Sequence, residues 1–364
     1  MRILHYYPAS EPLISDYVKV LADNAIAGFE HHTATEPRQA RTLLEGGSYD
    51  VLHLHGCWRN SLRVMAAIAR RQGTRVVVTP HGQLQPWVRG CRRWTEKIPK
   101  QLLYQRDIIS RAYAVVIQGA MEQECMRKLG WNRRCVIIRN CLITDSITPL
   151  QMARRMAALY QQVMDSNPWQ LMDDDSRRSL AHMLKAGITG DSRWLQGDDR
   201  SCELGIQWRP LMIYAHLELL KPTVERGISV LGLQAPDVDT ERIATFLPDG
   251  FSEPQSIERA IGMDYASEND RLLATFRHLR KLIRARRLSM SHLVELDREL
   301  RQHDCDEQLL EETLQERHLL KPARRLMQLM SIYTGLTEGY MPVAPLADRS
   351  TRSLQRQIEN RLNI

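Results

Sequence analysis

Along the first 145 positions, short runs rich in Val and Ile alternate with stretches whose apolar residues recur every three or four places. RILHYY (2–7) reads as a strand, 14–27 as a helix, 32–35 as a weak strand and 37–45 as a helix. The alternation continues with strands at 50–55, 75–79, 112–118 and 135–139, and with helices at 60–72, 92–111 and 120–129. Short apolar strands joined by helices of ten or more residues predict right-handed crossovers and a parallel sheet covered on both faces. Such a doubly wound, Rossmann-like sheet binds ligands beyond the carboxyl ends of its strands.

Beyond this point the period is helical throughout. Segments 152–164, 176–185, 208–220, 268–287, 291–302, 307–318 and 323–334 carry apolar residues at helix spacing, with no strand series between them. Pro222 and Pro322 interrupt helical runs, and 189–201 and 247–256 read as loops. The expected organisation is an α/β Rossmann-like domain over 1–147 followed by a mostly α-helical domain over 148–364. In the stretch 274–300 the apolar positions Leu279, Leu282, Ile283, Leu293 and Leu296 form a core stripe and the arginines a solvated face.

Composition narrows the class. At 43% hydrophobic and 26% charged residues the chain has the profile of a soluble globular protein. The N-terminus lacks the apolar core of a secretory signal, and no apolar run approaches the roughly 18 residues of a spanning helix. Seven cysteines without a CxxC pair read as reduced thiols. These features lead us to expect a cytoplasmic protein, with peripheral association on the inner face of the membrane as an option. Charge is uneven: residues 1–150 hold 21 Lys/Arg against 12 Asp/Glu, and the remainder 29 against 31. A phosphate-bearing or acidic partner should therefore meet the first half.

The strand ends carry the chemistry. DVLHLHGCW (50–58) ends in His55-Gly56, and VVVTPHGQLQPW (76–87) has His81-Gly82 beyond its strand. A neutral imidazole at a strand tip can donate or accept a hydrogen bond to a ligand hydroxyl, and the glycine after it admits close backbone approach. The stretch 87–106 has six basic residues against one acid, with Trp87, Trp94, Leu102, Leu103 and Tyr104 interleaved. It reads either as a solvated basic helix or as an interfacial patch in which arginines meet anionic lipid or a lipid diphosphate. Without a recognition motif beside these charges, no nucleic acid is expected. His53, His55 and His81 also raise a metal-dependent hydrolase reading. The later strands AVVIQG and VIIRNC offer no further ligands, so no metal is expected.

Together these segments resemble the N-terminal domain of retaining GT-B glycosyltransferases of the family-4 type. That family shows a D-hydrophobic-xHxHG-x-W strand end, a tPHG-x-L-x-PW strand end with lysines soon after, a strand running into an S-x-x-E helix, and a closing IPNG. The resemblance covers roughly residues 1–145. It implies His81 as the donor-sugar contact in catalysis, His55, Gly56, Gly82, Glu122 and Asn140 as cleft residues, and a nucleotide sugar as donor substrate with no further cofactor. Arg89, Arg92, Arg93, Lys97 and Lys100, with Trp87 and Trp94, become the surface for phosphate or membrane. The implied activity is sugar transfer to a glycan or lipid-linked acceptor in polysaccharide assembly. The alternative is a non-catalytic relative that binds a glycan, a lipid or a partner. Three departures bear on that choice. The first strand leads into Tyr7-Pro8-Ala9-Ser10-Glu11-Pro12 without glycine, the closing motif reads Ile138-Arg139-Asn140-Cys141, and no second Rossmann pattern follows. Glu299 and Glu307 have the family's E-x7-E spacing, but they lie in a charged helical surface without its glycines.

Overall fold

A computed structural model describes residues 1–195, 205–262, 264–302 and 304–364. The expected loop at 189–201 and Cys202 fall partly or wholly outside the described residues. The chain forms two compact units, Met1–Ser166 and Asn167–Ile364.

In the first unit, β1 (Arg2–Tyr6), β2 (Glu30–Ala34), β3 (Val51–His55), β4 (Arg75–Thr79), β5 (Ala114–Ile117) and β6 (Cys135–Ile137) form one parallel sheet in the order β2-β1-β3-β4-β5-β6. The connecting helices are α1 (Pro12–Asp23), α2 (Pro37–Gly46), α3 (Asn60–Arg71), α4 (Pro86–Gly90), α5 (Ile98–Lys100), α6 (Arg106–Ser110) and α7 (Ala120–Leu129). This is the expected Rossmann-like sheet. Strand order reverses between β1 and β3, and the carboxyl ends flanking that switch are where such sheets hold ligands.

Local signals explain the helix ends. Pro12 and Pro37 open their helices in the first turn, where a missing N–H costs nothing. Gly130 closes α7 at φ +60°, a left-handed cap suited to glycine. The basic stretch expected as one helix over 92–111 is less regular. Two π turns, Arg93–Lys97 and Gln101–Gln105, alternate with the short α5 and α6. Pro99 contributes to the irregularity because it has no N–H for the helical ladder.

The two sheet faces differ. One carries Leu4, Tyr6, Leu52, Leu54, Val76 and Val78, packed with Leu44 of α2, Leu62 and Met65 of α3 and Ile109 of α6. The other carries His5, His53, His55 and Thr79 beneath Tyr17 of α1 and Tyr160 of α8 (Pro149–Asp165). Thr148 and Gln151 close a capping box at the start of α8. At its other end Arg75 donates to the carbonyls of Val163 and Ser166, placing a cation at the helix C-terminus. Helix α8 thus belongs to the first compact unit, beyond the 147/148 division expected from the pattern. It covers a sheet face that would otherwise expose the histidines.

The second unit is helical, as expected, and none of its described residues forms a strand. It comprises α9 (Pro168–Leu171), α10 (Asp174–Thr189), α11 (Trp208–Leu217), α12 (Lys221–Leu231), α13 (Ile257–Ile261), α14 (Glu268–Ala285), α15 (Met290–Gln302), α16 (Glu307–Glu316), α17 (Leu320–Tyr333) and α18 (Arg349–Glu359). Pro222 and Pro322 sit in the opening turns of α12 and α17, so both prolines start a helix. Helices α10 and α12 meet backbone to backbone at Gly187 and Gly227. A Cβ on either would overlap a main-chain carbonyl, that of Thr223 or of Met183. Of the stripe over 274–300, Leu279 of α14 and Leu293 and Leu296 of α15 are buried in the apolar core and Leu282 and Ile283 pack half-buried against it, with Leu272 and Phe276 of α14 also in the core.

Candidate functional site

The carboxyl ends of β3 and β4 lie side by side, with His55 opposite Thr79 in register and Gly56 N donating to Thr79 O at 2.8 Å. The chain then turns sharply. Gly56, Trp58, His81 and Gly82 all have positive φ, from +51° at His81 to +84° at Gly56. For the two glycines this backbone is free of strain; for Trp58 and His81 the surroundings must hold it.

That support comes from side chains at some distance in sequence. Glu122, nearly fully buried at the start of α7, accepts from Gly82 N at 2.8 Å and from Gln118 N at 2.9 Å. Both its oxygens therefore tie the His81-Gly82 turn to the tip of β5. Burial pushes its carboxyl upward in pKa, and the two backbone donors oppose that shift. Gln83 Oε1 accepts from Cys57 N at 2.7 Å, while its carbonyl takes the Trp58 indole N–H at 2.9 Å. Gln105 Oε1 accepts from Trp58 N at 2.7 Å. A Cβ at Gly56 would come within 3.4 Å of Gln83 Oε1, so this glycine makes room for Gln83.

Four imidazoles link into a chain across the sheet. Gln118 Nε2 meets His81 Nδ1 at 2.9 Å, His81 Nε2 meets His55 Nδ1 at 3.1 Å, His55 Nε2 meets His5 Nδ1 at 2.9 Å, and His5 Nε2 meets His31 Nδ1 at 2.8 Å. With the Gln118 amide nitrogen facing His81, every histidine of the chain is the Nε2–H tautomer and the donors run from β5 toward β2. His53 stands beside this chain, bonded to Tyr160 OH at 2.6 Å and Thr79 Oγ1 at 2.7 Å. The rings of His53 and His55 stack 4.1 Å apart. Burial holds His5, His53 and His55 well below the usual imidazole range and lowers His81 to about 3. All four are neutral at pH 7.

Placed residue by residue, the sequence-derived site has three parts. His55, Gly56, His81 and Gly82 cluster at the strand tips, and both ring nitrogens of His81 are engaged, so a ligand reaches its ring only by replacing His55 or Gln118. Glu122 is a buried brace of that turn. Asn140 is buried below β6, its Oδ1 taking Leu142 N at 2.9 Å, and its role here is to shape a turn. Sequence reasoning passed over His5, His31, Gln83, Gln105 and Gln118. Their signal was register: His5 pairs with His53 across β1 and β3, which alternation within single strands cannot reveal. The metal reading looks for further ligands on the later strands, whereas the earlier strands β1 and β2 supply the additional histidines, His5 and His31.

The basic segment splits. Arg89, Arg93 and Lys97 line one cavity of about 380 Å³ with Gly90, Gln101 and Leu102. Buried Arg89 Nε has no hydrogen-bond partner among the described residues. Lys97 lies 4.8 Å over the Trp58 ring, and Glu96 pairs with Lys97 at 3.6 Å and Lys100 at 2.7 Å. Arg92 is exposed, at φ +48°. Trp87, Trp94, Leu102 and Leu103 are all exposed, Trp94 at 76%. Among the described residues no helix is long and apolar enough to cross a membrane. In the second unit Glu299 pairs with Arg271 at 3.0 Å on α15 while Glu307 opens α16, so the E-x7-E spacing falls on two helices.

No curated protein and no solved structure matches the chain. Residues 17–141 match the family model of the glycosyl transferase 4-like domain, a span that runs from α1 through β6 to Cys141 and includes both HG turns. The first unit carries a glycosyl transferase 4-like domain, and the protein is glycosyltransferase-like on that ground.

Proposed function

We propose that the protein transfers a sugar from a nucleotide-sugar donor to a hydroxyl of a glycan or lipid-linked acceptor, as a retaining enzyme whose transfer step uses no cofactor. The observation that carries this reading is the pair of HG turns, both within the matched span, beside the switch point of the sheet. Donor sugar packs against His81 and Gly82, with the Gly56 turn as the neighbouring wall and Glu122 holding the turn in shape. The departing diphosphate needs positive charge, and stabilising it is the main catalytic contribution in such chemistry.

The acceptor side of the proposal rests on the α4–α6 segment. A cavity lined by Arg89, Arg93 and Lys97 suits a phosphate, and exposed Trp87, Trp94, Leu102 and Leu103 beside it suit the interface of an anionic cytoplasmic leaflet. A lipid-linked acceptor presents both chemistries at once.

A second reading is a non-catalytic relative that binds glycan, lipid or a partner. It is favoured by the absence of any strand among the described residues of the second unit and by the full engagement of the His81 ring. A panel of nucleotide sugars separates the two. The enzyme reading expects one donor to raise the melting temperature and to be slowly hydrolysed, and His81→Ala to abolish the hydrolysis. Absence of any shift or hydrolysis across the panel, with glycan synthesis intact in His81→Ala cells, supports the second reading. Co-sedimentation with liposomes of rising anionic lipid content tests the acceptor face, and binding indifferent to that content contradicts it.

A further inference from the structure

Four histidines, His5, His31, His53 and His55, share one face of the first unit's sheet and His81 lies beyond the end of β4, more than the HG turns require. Three of them, His5, His53 and His55, are fully buried and bring one ring nitrogen each within 4.8 Å of the others. We propose that these three hold a divalent transition-metal ion of the kind that prefers imidazole, such as zinc, cobalt or nickel.

The backbone fixes the spacing. His5 and His53 are register partners on adjacent parallel strands, and His55 follows His53 on the same face. His5 Nδ1 and His55 Nε2 already face each other at 2.9 Å. A tetrahedral ion with bonds of about 2.0–2.1 Å holds such nitrogens about 3.3 Å apart, so this pair opens by a few tenths of an ångström, and His53, within 4.8 Å, draws in to complete the set.

The outer nitrogens make the stronger case. A histidine ligand normally keeps its other ring nitrogen hydrogen-bonded, which fixes its orientation and tautomer. Here His5 Nε2 bonds His31 Nδ1 at 2.8 Å and His55 Nδ1 bonds His81 Nε2 at 3.1 Å. His53 has a hydroxyl on each side, Tyr160 and Thr79, and keeps one when it gives up the other. Each ligand therefore has an outer partner already in position. Tyr17, fully buried and edge-on to His55 and His81, has a hydroxyl without a hydrogen-bond partner among the described residues.

The proton balance closes without loss. On binding, His55 moves its proton from Nε2 to Nδ1 and donates it to His81 Nε2. His81 in turn carries its proton on Nδ1 and donates it to Gln118, whose amide oxygen turns to accept. His5 keeps its proton on Nε2. Neutral nitrogen donors with no carboxylate among them suit zinc, cobalt and nickel and are poor ligands for magnesium or calcium.

The test uses the untagged full-length chain, purified without chelator and also refolded in the presence of zinc, cobalt or nickel chloride. Elemental analysis should find about one ion per chain, and the cobalt form should show the intense visible absorption of a tetrahedral site. Bound ion should also raise the melting temperature, and chelator should reverse the rise. The double variant His5→Gln, His55→Gln should lose the ion, and His318→Asn, at an exposed position outside the cluster, should keep it. A folded wild-type chain that takes up less than about a tenth of an equivalent of every ion by both routes overturns the proposal, leaving the histidines as a hydrogen-bonded ladder. Full occupancy retained in the double variant overturns it as well, by locating the ion elsewhere.

Discussion

The two units bury polar groups in different ways. In the first, the sheet face beneath α1 and α8 is built on neutral imidazoles that satisfy one another. In the second, polarity is buried as charge. Glu218 meets Arg361 at 2.8 Å with both nearly inaccessible, and Asp297 is held by Arg301 and Thr334 at 2.5 Å each. A neutral ladder avoids the desolvation of ions but depends on every ring keeping its tautomer. An ion pair tolerates some movement but is costly once one partner is lost.

The largest effect expected from that difference is in the second unit. Arg361→Ala removes the counter-charge of buried Glu218, whose carboxyl must then take up a proton or lie buried unpaired, and should cost about 3–5 kcal/mol in urea unfolding. Changing Glu218→Gln at the same time should recover part of the loss. Next comes the helix crossing. Gly227→Ala or Gly187→Ala forces α10 and α12 apart and should cost about 1–3 kcal/mol or more, because the overlap is with backbone.

Acid should separate the units by degree. The four neutral histidines, His5, His53, His55 and His81, have folded pKa values below the unfolded value near 6.5. The unfolded chain therefore binds more protons below that pH. Stability of the first unit is complete above about 6.5 and falls as the pH drops, by up to about 1.4 kcal/mol per pH unit for each histidine. Glu218 behaves oppositely. Burial raises its pKa to about 7 against the pull of Arg361, so its contribution is fullest below about 4.5 and is lost as pH rises through 7. Hydrogen exchange in chelator at pH 7 and pH 5 should show β1, β3 and β4 opening more at the lower pH than α15, which carries one such histidine, His292, lowered to about 4 by burial, where the first unit stacks four. Equal loosening of both units would break the comparison.

The smallest of these effects belongs to the brace. Glu122→Ala frees Gly82 N and Gln118 N and should cost about 1–3 kcal/mol. Its signature should be local, in faster exchange of the amides at 81–83, with the far end of the sheet unchanged.

The contrast also marks what could be read from sequence. Periodicity revealed all six strands and the helical character of the second half, because strands buried on both faces and amphipathic helices leave strong local patterns. The HG turns were legible for the same reason: each is a contiguous stretch at a strand end. The histidine chain was not, since it runs across strands in the order β4, β3, β1, β2, and register is a property of the folded sheet. Gln83 and Gln105 were invisible because a glutamine that accepts one backbone N–H looks like any polar surface residue. The place of α8 escaped too. Its amphipathic pattern says that it covers an apolar surface, and only Tyr160 against His53 says which one.

The central claim is that the HG turns of the first unit form the donor-binding wall. Amide hydrogen exchange with and without a stabilising nucleotide sugar tests it most directly. The account predicts protection concentrated at 55–58 and 80–85, lost in His81→Ala while the rest of the sheet is unchanged. Protection confined to the second unit, or none at any donor concentration, would contradict it.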